Sequence, residues 1–249
     1  MKEQFEKALK WAKELDVNGC VTGSGLLGYI PDANQDIDIF VYDEGSFNRV
    51  LYKMEYDKMF QIIEPLERWK FKEWEENQKI PYKLGLVTVK FKYNLAIDIN
   101  VILKKDKKSA FDVISSFDLD IICKAYDLKT KQFLDLSEND GKTAHWNKWN
   151  TSFYSEDVWT INRLLRQFQR CIKYHKRGYN TDLLVEKYIE LLDRLLDYKN
   201  VFNSQKFDER LESIKANGKA LKELLNLWLK NHEFTDEEME LLIEKTREL

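Results

Sequence analysis

Apolar residues follow two rhythms along the chain. Near the N-terminus Phe5, Leu9, Ala12 and Leu15 recur every three or four residues, which predicts an amphipathic helix with one stripe to lay on a sheet. The period then shortens. "GCVTGS" reads as a short strand running into a glycine loop, and "DIDIFVY" as a second strand. "FNRVLYKMEYDKMFQII" predicts a second helix, and "LVTVKFKYNLAIDINVIL" predicts two strands folded into a hairpin around "KYN". From Ser155 onward the pattern is helical in four blocks, "EDVWTINRLLRQFQRCIKYHKRG", "LLVEKYIELLDRLLDYK", "FDERLESIKANGKALKELLNLWLKNH" and "DEEMELLIEKTREL", the last opening with Thr235 and Glu238 at capping-box spacing. The expectation is an α+β fold in two parts. Residues 1–150 form a domain of strands with flanking helices, and residues 151–249 an all-helical domain suited to binding a substrate or partner. The boundary falls near the polar, tryptophan-bearing "DGKTAHWNKWNTS". There is no internal repeat and no low-complexity segment.

Composition narrows the function classes. With 43% hydrophobic and 13% aromatic residues over 249 positions, the chain has the material for real cores. Its 40 basic residues against 43 acidic ones give a net charge of −3, so no global positive field draws it to nucleic acid or an anionic membrane, and any anion binding must be local. Cys20, Cys123 and Cys171 are far apart and lack metal-ligand spacing, which fits a reducing compartment and a cytoplasmic protein. "MKEQFEKALKWAKELD" reads as a charged helix rather than a signal sequence, and no apolar run approaches the ~18 residues that span a bilayer. No membrane partner is expected.

The candidate chemistry lies in "VTGSGLLGYIPDANQDIDIFVYD". Side chains alternate along a strand, so Asp36 and Asp38 share one face while Ile37, Ile39 and Val41 share the other. "NLAIDINVIL" repeats the arrangement, with Asp98 and Asn100 alternating with Ile97, Ile99 and Val101. If the two strands are neighbours, Asp98 joins the first two aspartates on one face. Three converging carboxylates repel unless a cation lies among them. Hard oxygen ligands suit Mg²⁺ or Mn²⁺, and two such ions bridged by shared aspartates fit an in-line phosphoryl displacement. The preceding "GSG" supports this, because Gly23 and Ser24 place small residues where backbone N–H groups bind phosphate oxygens. The loop is not a Walker A motif, since no "GK[ST]" closes it. It is not a dinucleotide fingerprint either, since Pro31 and "DANQD" break the helix that should follow Gly23, Gly25 and Gly28.

Together "TGS", eleven intervening residues, "DIDI" and "AIDIN" resemble the nucleotidyltransferase superfamily that includes DNA polymerase β, over roughly residues 1–103. The resemblance implies a mixed-sheet catalytic domain with flanking helices and an appended helical domain. It implies Asp36 and Asp38 as metal ligands, and Asp98 as a ligand that also helps activate the acceptor hydroxyl. One departure is that "GSGLLGYIPDANQD" carries no basic residue between Gly-Ser and the first aspartate of the pair, and no further serine.

Other groups compete or assist. Asp118 and Asp120 in "SSFDLDIICKAYD" also alternate with apolar residues but follow no glycine loop, and Asp120 replaces Asp98 if "FDLDI" is the strand beside "DIDI". His145, His175 and His232 have no zinc-like spacing. Arg163, Arg166, Arg170, Lys173 and Arg177 stack five cations on one helix face, about 200° from Ile161, Leu165, Phe168 and Ile172. Such a face is either solvated or binds a triphosphate or RNA backbone, with Arg166 and Arg170 as the nucleotide-binding candidates. Trp146, Trp149 and Trp159 either stack a base or pack between domains.

The expected activity is transfer of a nucleoside monophosphate from an NTP such as ATP, with Mg²⁺ or Mn²⁺. The hydroxyl acceptor is open: a small molecule, an RNA end such as that of tRNA, or a protein. The contrasting expectation is a non-catalytic nucleotide- or RNA-binding module that keeps the fold. Oligomeric state is not legible in the sequence.

Overall fold

Residues 1–31, 35–64, 86–137, 141–151, 160–197, 208–235, 237–238 and 240 are described by a computed structural model of the chain. Two compact units divide it, Met1–Glu138 and Asn139–Leu249.

In the first unit α1 (Lys2–Lys13) buries Phe5, Ala8 and Ala12, the predicted stripe, and leaves charged pairs such as Glu3 and Lys7 (2.7 Å) in solvent. Lys131 closes its C-terminal end by donating from Nζ to the carbonyls of Lys13 (3.2 Å) and Leu15 (2.6 Å). β1 (Gly19–Thr22) runs into a 3₁₀ turn over Gly23–Leu27, and β2 (Asp36–Val41) follows. α2 (Glu44–Tyr56) is capped by Asp43, whose carboxylate accepts from Ser46 N (2.7 Å), Ser46 Oγ (2.9 Å) and Asn18 Nδ2 (3.1 Å).

The second predicted helix is shorter than its pattern. It ends at Tyr56, and β3 (Phe60–Glu64) takes the "FQII" that was expected to be helical. Asp57 causes the break: its side chain accepts from Met59 N (2.9 Å), an Asx turn that competes with the helix, and Phe60 is then free to pair with Tyr93. β4 (Leu86–Tyr93) and β5 (Ile97–Lys104) form the expected hairpin, turning through Asn94 and Leu95, both at positive φ. α3 (Ala110–Ile114), a 3₁₀ turn (Asp120–Ile122), β6 (Lys124–Asp127) and β7 (Phe133–Asp135) complete the unit.

The seven strands lie in the order β3-β4-β5-β2-β1-β6-β7, with β2 and β5 parallel and the other pairs antiparallel. This mixed sheet with its helices, followed by helices in the second unit, is the α+β class expected from the sequence. One sheet face buries Val21, Ile37, Ile39, Val41, Phe91, Ile99 and Val101 with residues of α1 and α2. The other is covered over part of its length, where Cys20, Phe40, Ile102 and Ala125 pack on Ala110, Val113 and Ile114 of α3. Beyond that cover the same face carries Asp36, Asp38, Asp98 and Asn100.

In the second unit α4 (Ile161–His175), α5 (Asp182–Asp197) and α6 (Asp208–Asn231) follow three of the predicted helical blocks. Most of the fourth lies outside the described residues, but its capping box is present: Thr235 N donates to Glu238 Oε2 (2.7 Å) and Glu238 N to Thr235 Oγ1 (3.2 Å). His175 and His232 stack at 4.8 Å beside Trp228, and His232 Nε2 lies 2.8 Å from Asp182 Oδ1. They act as packing groups, with burial and the neighbouring His232 pushing the pKa of His175 down. Among the described residues no helix is long and apolar enough to cross a membrane.

Asp43 gives a stability prediction. Asp43→Ala removes the cap of α2 and its tie to Asn18, and is expected to cost about 1–2 kcal/mol in denaturant unfolding at pH 7. Burial raises the pKa of Asp43, but the hydrogen bonds from Ser46 and Asn18 outweigh it, leaving it below the usual 3.8. A lowered carboxylate pKa stabilises the fold above 3.8 and loses that contribution as pH falls through the folded value. The difference between wild type and Asp43→Ala is therefore expected to narrow in unfolding curves below about pH 4.

Candidate active site

The sheet register assembles the candidate site. Asp36 stands opposite Asp98, and Asp38 opposite Asn100, across the parallel pair β2 and β5. Apolar neighbours fix which way these side chains face, since Ile37, Ile39, Ile99 and Val101 are fully buried on the opposite face. On β4, Lys92 is opposite Asp98 and Lys90 opposite Asn100, so the acidic face continues into a basic one.

Asp36 and Asp38 are brought together through Asn100. Its Nδ2 donates to Asp36 Oδ2 at 2.9 Å and to Asp38 Oδ1 at 2.8 Å, so one oxygen from each carboxylate is directed at one atom. Asp98 takes another partner: its carboxylate lies 3.4 Å from Lys92 Nζ and is about half exposed. Among the described residues no three His, Cys, Asp or Glu side chains gather closely enough to hold a metal ion. The group assembled here is two carboxylates and an amide.

That donor set nevertheless fits a hard cation. Mg²⁺ is commonly bound by one or two carboxylates, with waters and substrate phosphates filling the rest of its octahedral shell. Asp36 and Asp38 provide the two carboxylates with oxygens already convergent.

The glycine turn sits against this pair. Gly23 has φ +77°, a conformation that favours glycine, and a Cβ there would lie 2.7 Å from Asp38 Oδ2, so a side chain at this position would displace that carboxylate. Ser24 is 5% exposed, in the first turn of the 3₁₀ segment. Gln35, buried directly before β2, holds the loop: its Nε2 donates to the carbonyls of Ser24 (3.2 Å) and Gly28 (2.8 Å), and its Oε1 accepts from Ile30 N (2.7 Å). Gln35 belongs to no motif in the sequence. Its signal was a loop whose buried backbone groups needed a partner next to the strand.

The rival carboxylates are not on a strand beside β2, although the turn that carries Asp120 packs against the Gly23–Leu27 turn. β2 is flanked by β1 and β5, while Asp120 is buried in the 3₁₀ turn before β6, with Asp118 preceding it. Burial pushes the Cys20 thiol up to about 12, so it is a packing group rather than a nucleophile.

In the second unit, Arg163, Arg166, Arg170 and Lys173 lie on α4, and Arg177 follows its C-cap, Lys176. Arg166 and Lys173 are exposed, opposite the buried Ile161, Leu165, Phe168 and Ile172. The guanidinium groups of Arg170 and Arg177 lie 5.7 and 5.5 Å from the Tyr174 ring. Trp146 Nε1 donates to Tyr188 Oη at 3.2 Å, Trp149 is 46% exposed, and Trp159 is outside the described residues.

No protein-family model and no curated protein sequence matches the chain. Among solved structures it is similar to the Thermotoga maritima CCA-adding enzyme complexed with tRNA, at 14% identity and a TM-score of 0.46. That match covers 94% of this chain and 62% of the other. It is also similar to an apo form of a CCA-adding enzyme, at 13% identity and a TM-score of 0.40, covering 98% of this chain and 66% of the other. The chain thus spans somewhat less than two thirds of the length of both.

Proposed function

We propose that the chain is a metal-dependent nucleotidyltransferase, moving a nucleoside monophosphate from an NTP to a hydroxyl acceptor with release of pyrophosphate. The observation that supports this most is the convergence of one oxygen from Asp36 and one from Asp38 on a single atom, beside a glycine turn fitted against Asp38.

Asp36 and Asp38 would hold Mg²⁺ or Mn²⁺. When bound, the cation neutralises phosphate charge and favours in-line displacement at the α-phosphorus. Gly23 keeps side-chain bulk away from the carboxylates, and Gln35 keeps Gly23 and Ser24 in a fixed turn so that triphosphate oxygens meet backbone rather than side chains. The acceptor oxygen forms a bond to the α-phosphorus as the bond to the bridging oxygen breaks, and pyrophosphate leaves with that electron pair. Asp98 is the group proposed to draw off the acceptor's proton and to join the cation site. Its present ion pair with Lys92 is half exposed, and such pairs are worth about 0–1 kcal/mol, so releasing Asp98 costs little. The proposed acceptor is a small-molecule hydroxyl, a protein hydroxyl or an RNA end such as that of tRNA. The proposed domain roles are catalysis in residues 1–150 and substrate or partner binding in residues 151–249.

The test is label transfer from each α-³²P NTP in Mg²⁺ or Mn²⁺, with tRNA, total RNA or a small-molecule extract as acceptor. Metal-dependent appearance of label in one acceptor class is expected. Absence of transfer with every NTP and acceptor would overturn the reading.

The basic face of α4 is proposed to bind the phosphates of the nucleotide or RNA. Arg166→Gln with Arg170→Gln preserves helix propensity and the apolar face, so the fold is expected to survive. Affinity for NTP or RNA is expected to fall and to depend less on salt, because fewer cations displace counterions. Unchanged binding across a salt series would identify a solvated face.

A further inference from the structure

We infer that Asn100 is the third oxygen donor of the cation site, brought into use by a flip of its side-chain amide. The inference rests on the reading of Asp36 and Asp38 as cation ligands. Ionised carboxylates only accept hydrogen bonds, so the end of the amide that faces Asp36 Oδ2 and Asp38 Oδ1 is the NH₂ group, as the contacts at 2.9 and 2.8 Å require. Two oxygens that ligate one Mg²⁺ at about 2.1 Å and at right angles are about 3.0 Å apart. Asn100 Nδ2 therefore stands at nearly the distance from each carboxylate oxygen that separates neighbouring vertices of an octahedral shell. At that separation an oxygen in its place can share a cation with the two carboxylate oxygens. A half-turn about the terminal torsion of asparagine, which is soft, exchanges Nδ2 for Oδ1 at that place without moving the strand.

The side chain thus serves both states. Without a cation its two N–H groups separate and satisfy two carboxylates that would otherwise repel. With one, the same amide turns an oxygen inward. Its position is fixed by the fold: Asn100 is in register with Asp38, between Ile99 and Val101, which are fully buried on the other face. A neutral donor at this vertex adds no charge to the carboxylates of the site, where a carboxylate there would add one more.

The test is Mn²⁺ binding to the full chain without nucleotide, followed by the electron paramagnetic resonance signal of free Mn²⁺ up to millimolar concentration. Asn100→Ala is expected to weaken binding about tenfold or more. Asn100→Asp, nearly isosteric, puts an anionic oxygen at the same vertex and is expected to bind Mn²⁺ more tightly than wild type while melting at a lower temperature without metal. A residue that only packs the strand would not shift affinity in opposite directions. Wild-type affinity in Asn100→Ala, or no gain in Asn100→Asp, overturns the inference. If Asn100→Ala fails to fold, Asn100→Asp decides alone. Asp38→Asn reports on the underlying site. Loss of Mn²⁺ there with unchanged Asn100 variants removes only Asn100. Wild-type binding in Asp38→Asn, or no Mn²⁺ binding by the wild type, removes the site itself.

Discussion

Asp38→Asn is expected to lower metal-dependent nucleotide transfer about a thousandfold or more, and Asp36→Asn to do the same. Each removes one of two anionic ligands from a site whose proposed work is charge stabilisation worth several kcal/mol, with tenfold in rate for each 1.36 kcal/mol. The fold is expected to persist. An asparagine at 36 or 38 keeps an oxygen that accepts the hydrogen bond now donated by Asn100, and it relieves repulsion between two carboxylates held to one amide. The variants are therefore expected to melt at or above the wild-type temperature without metal and to lose any stabilisation by Mg²⁺. Calorimetric melting with and without Mg²⁺, beside initial rates, separates a lost ligand from a lost fold.

Gly23→Ala is expected to be nearly as damaging to activity, by a different route. At φ +77° a non-glycine residue costs about 1–2 kcal/mol, which a domain of this size tolerates. The new Cβ meets Asp38 Oδ2 at 2.7 Å, and because that oxygen ends a mobile side chain the conflict resolves by displacing the carboxylate rather than the backbone. Misplacement of a reacting group by about 1 Å costs on the order of a hundredfold, so a loss of that size in transfer rate is expected, with Mn²⁺ affinity falling alongside. A cycle with Asp38→Ala checks the cause. Once the carboxylate is gone, Gly23→Ala should add only the backbone cost to stability. An equal stability cost of Gly23→Ala in both backgrounds would mean that the turn, rather than its contact with Asp38, sets the effect.

The strand faces of the candidate site were legible where period-two alternation carried them. "DIDI" and "AIDIN" put buried isoleucines on one face and acids on the other, and a parallel register then aligned Asp36 with Asp98. What alternation does not encode is the partner of each side chain. Asp98 has Lys92 because the hairpin register sets them opposite, and neither residue type nor spacing along the chain specifies that register. Asn100 is one more polar position in the alternation, since a bridging amide shows only where both carboxylates are placed in space. The segment "KMFQII" departs from its pattern for a related reason: its apolar spacing fits a helix, but the Asp57 side chain captures the backbone locally and diverts Phe60 and Ile62 into the sheet. The Gln35 staple, three hydrogen bonds from one side chain, has no periodic signature at all.

The most direct measurement is pyrophosphate release from each of the four NTPs by wild type, Asp36→Asn and Asp38→Asn, in Mg²⁺, in Mn²⁺ and in excess chelator, with RNA and small-molecule acceptors supplied. The predicted result is release by wild type with at least one NTP, dependent on the metal, and none above background in either variant. Release by either variant at the wild-type rate, or release that persists in chelator, would contradict the assignment of Asp36 and Asp38 as the metal-holding pair of a nucleotidyltransferase.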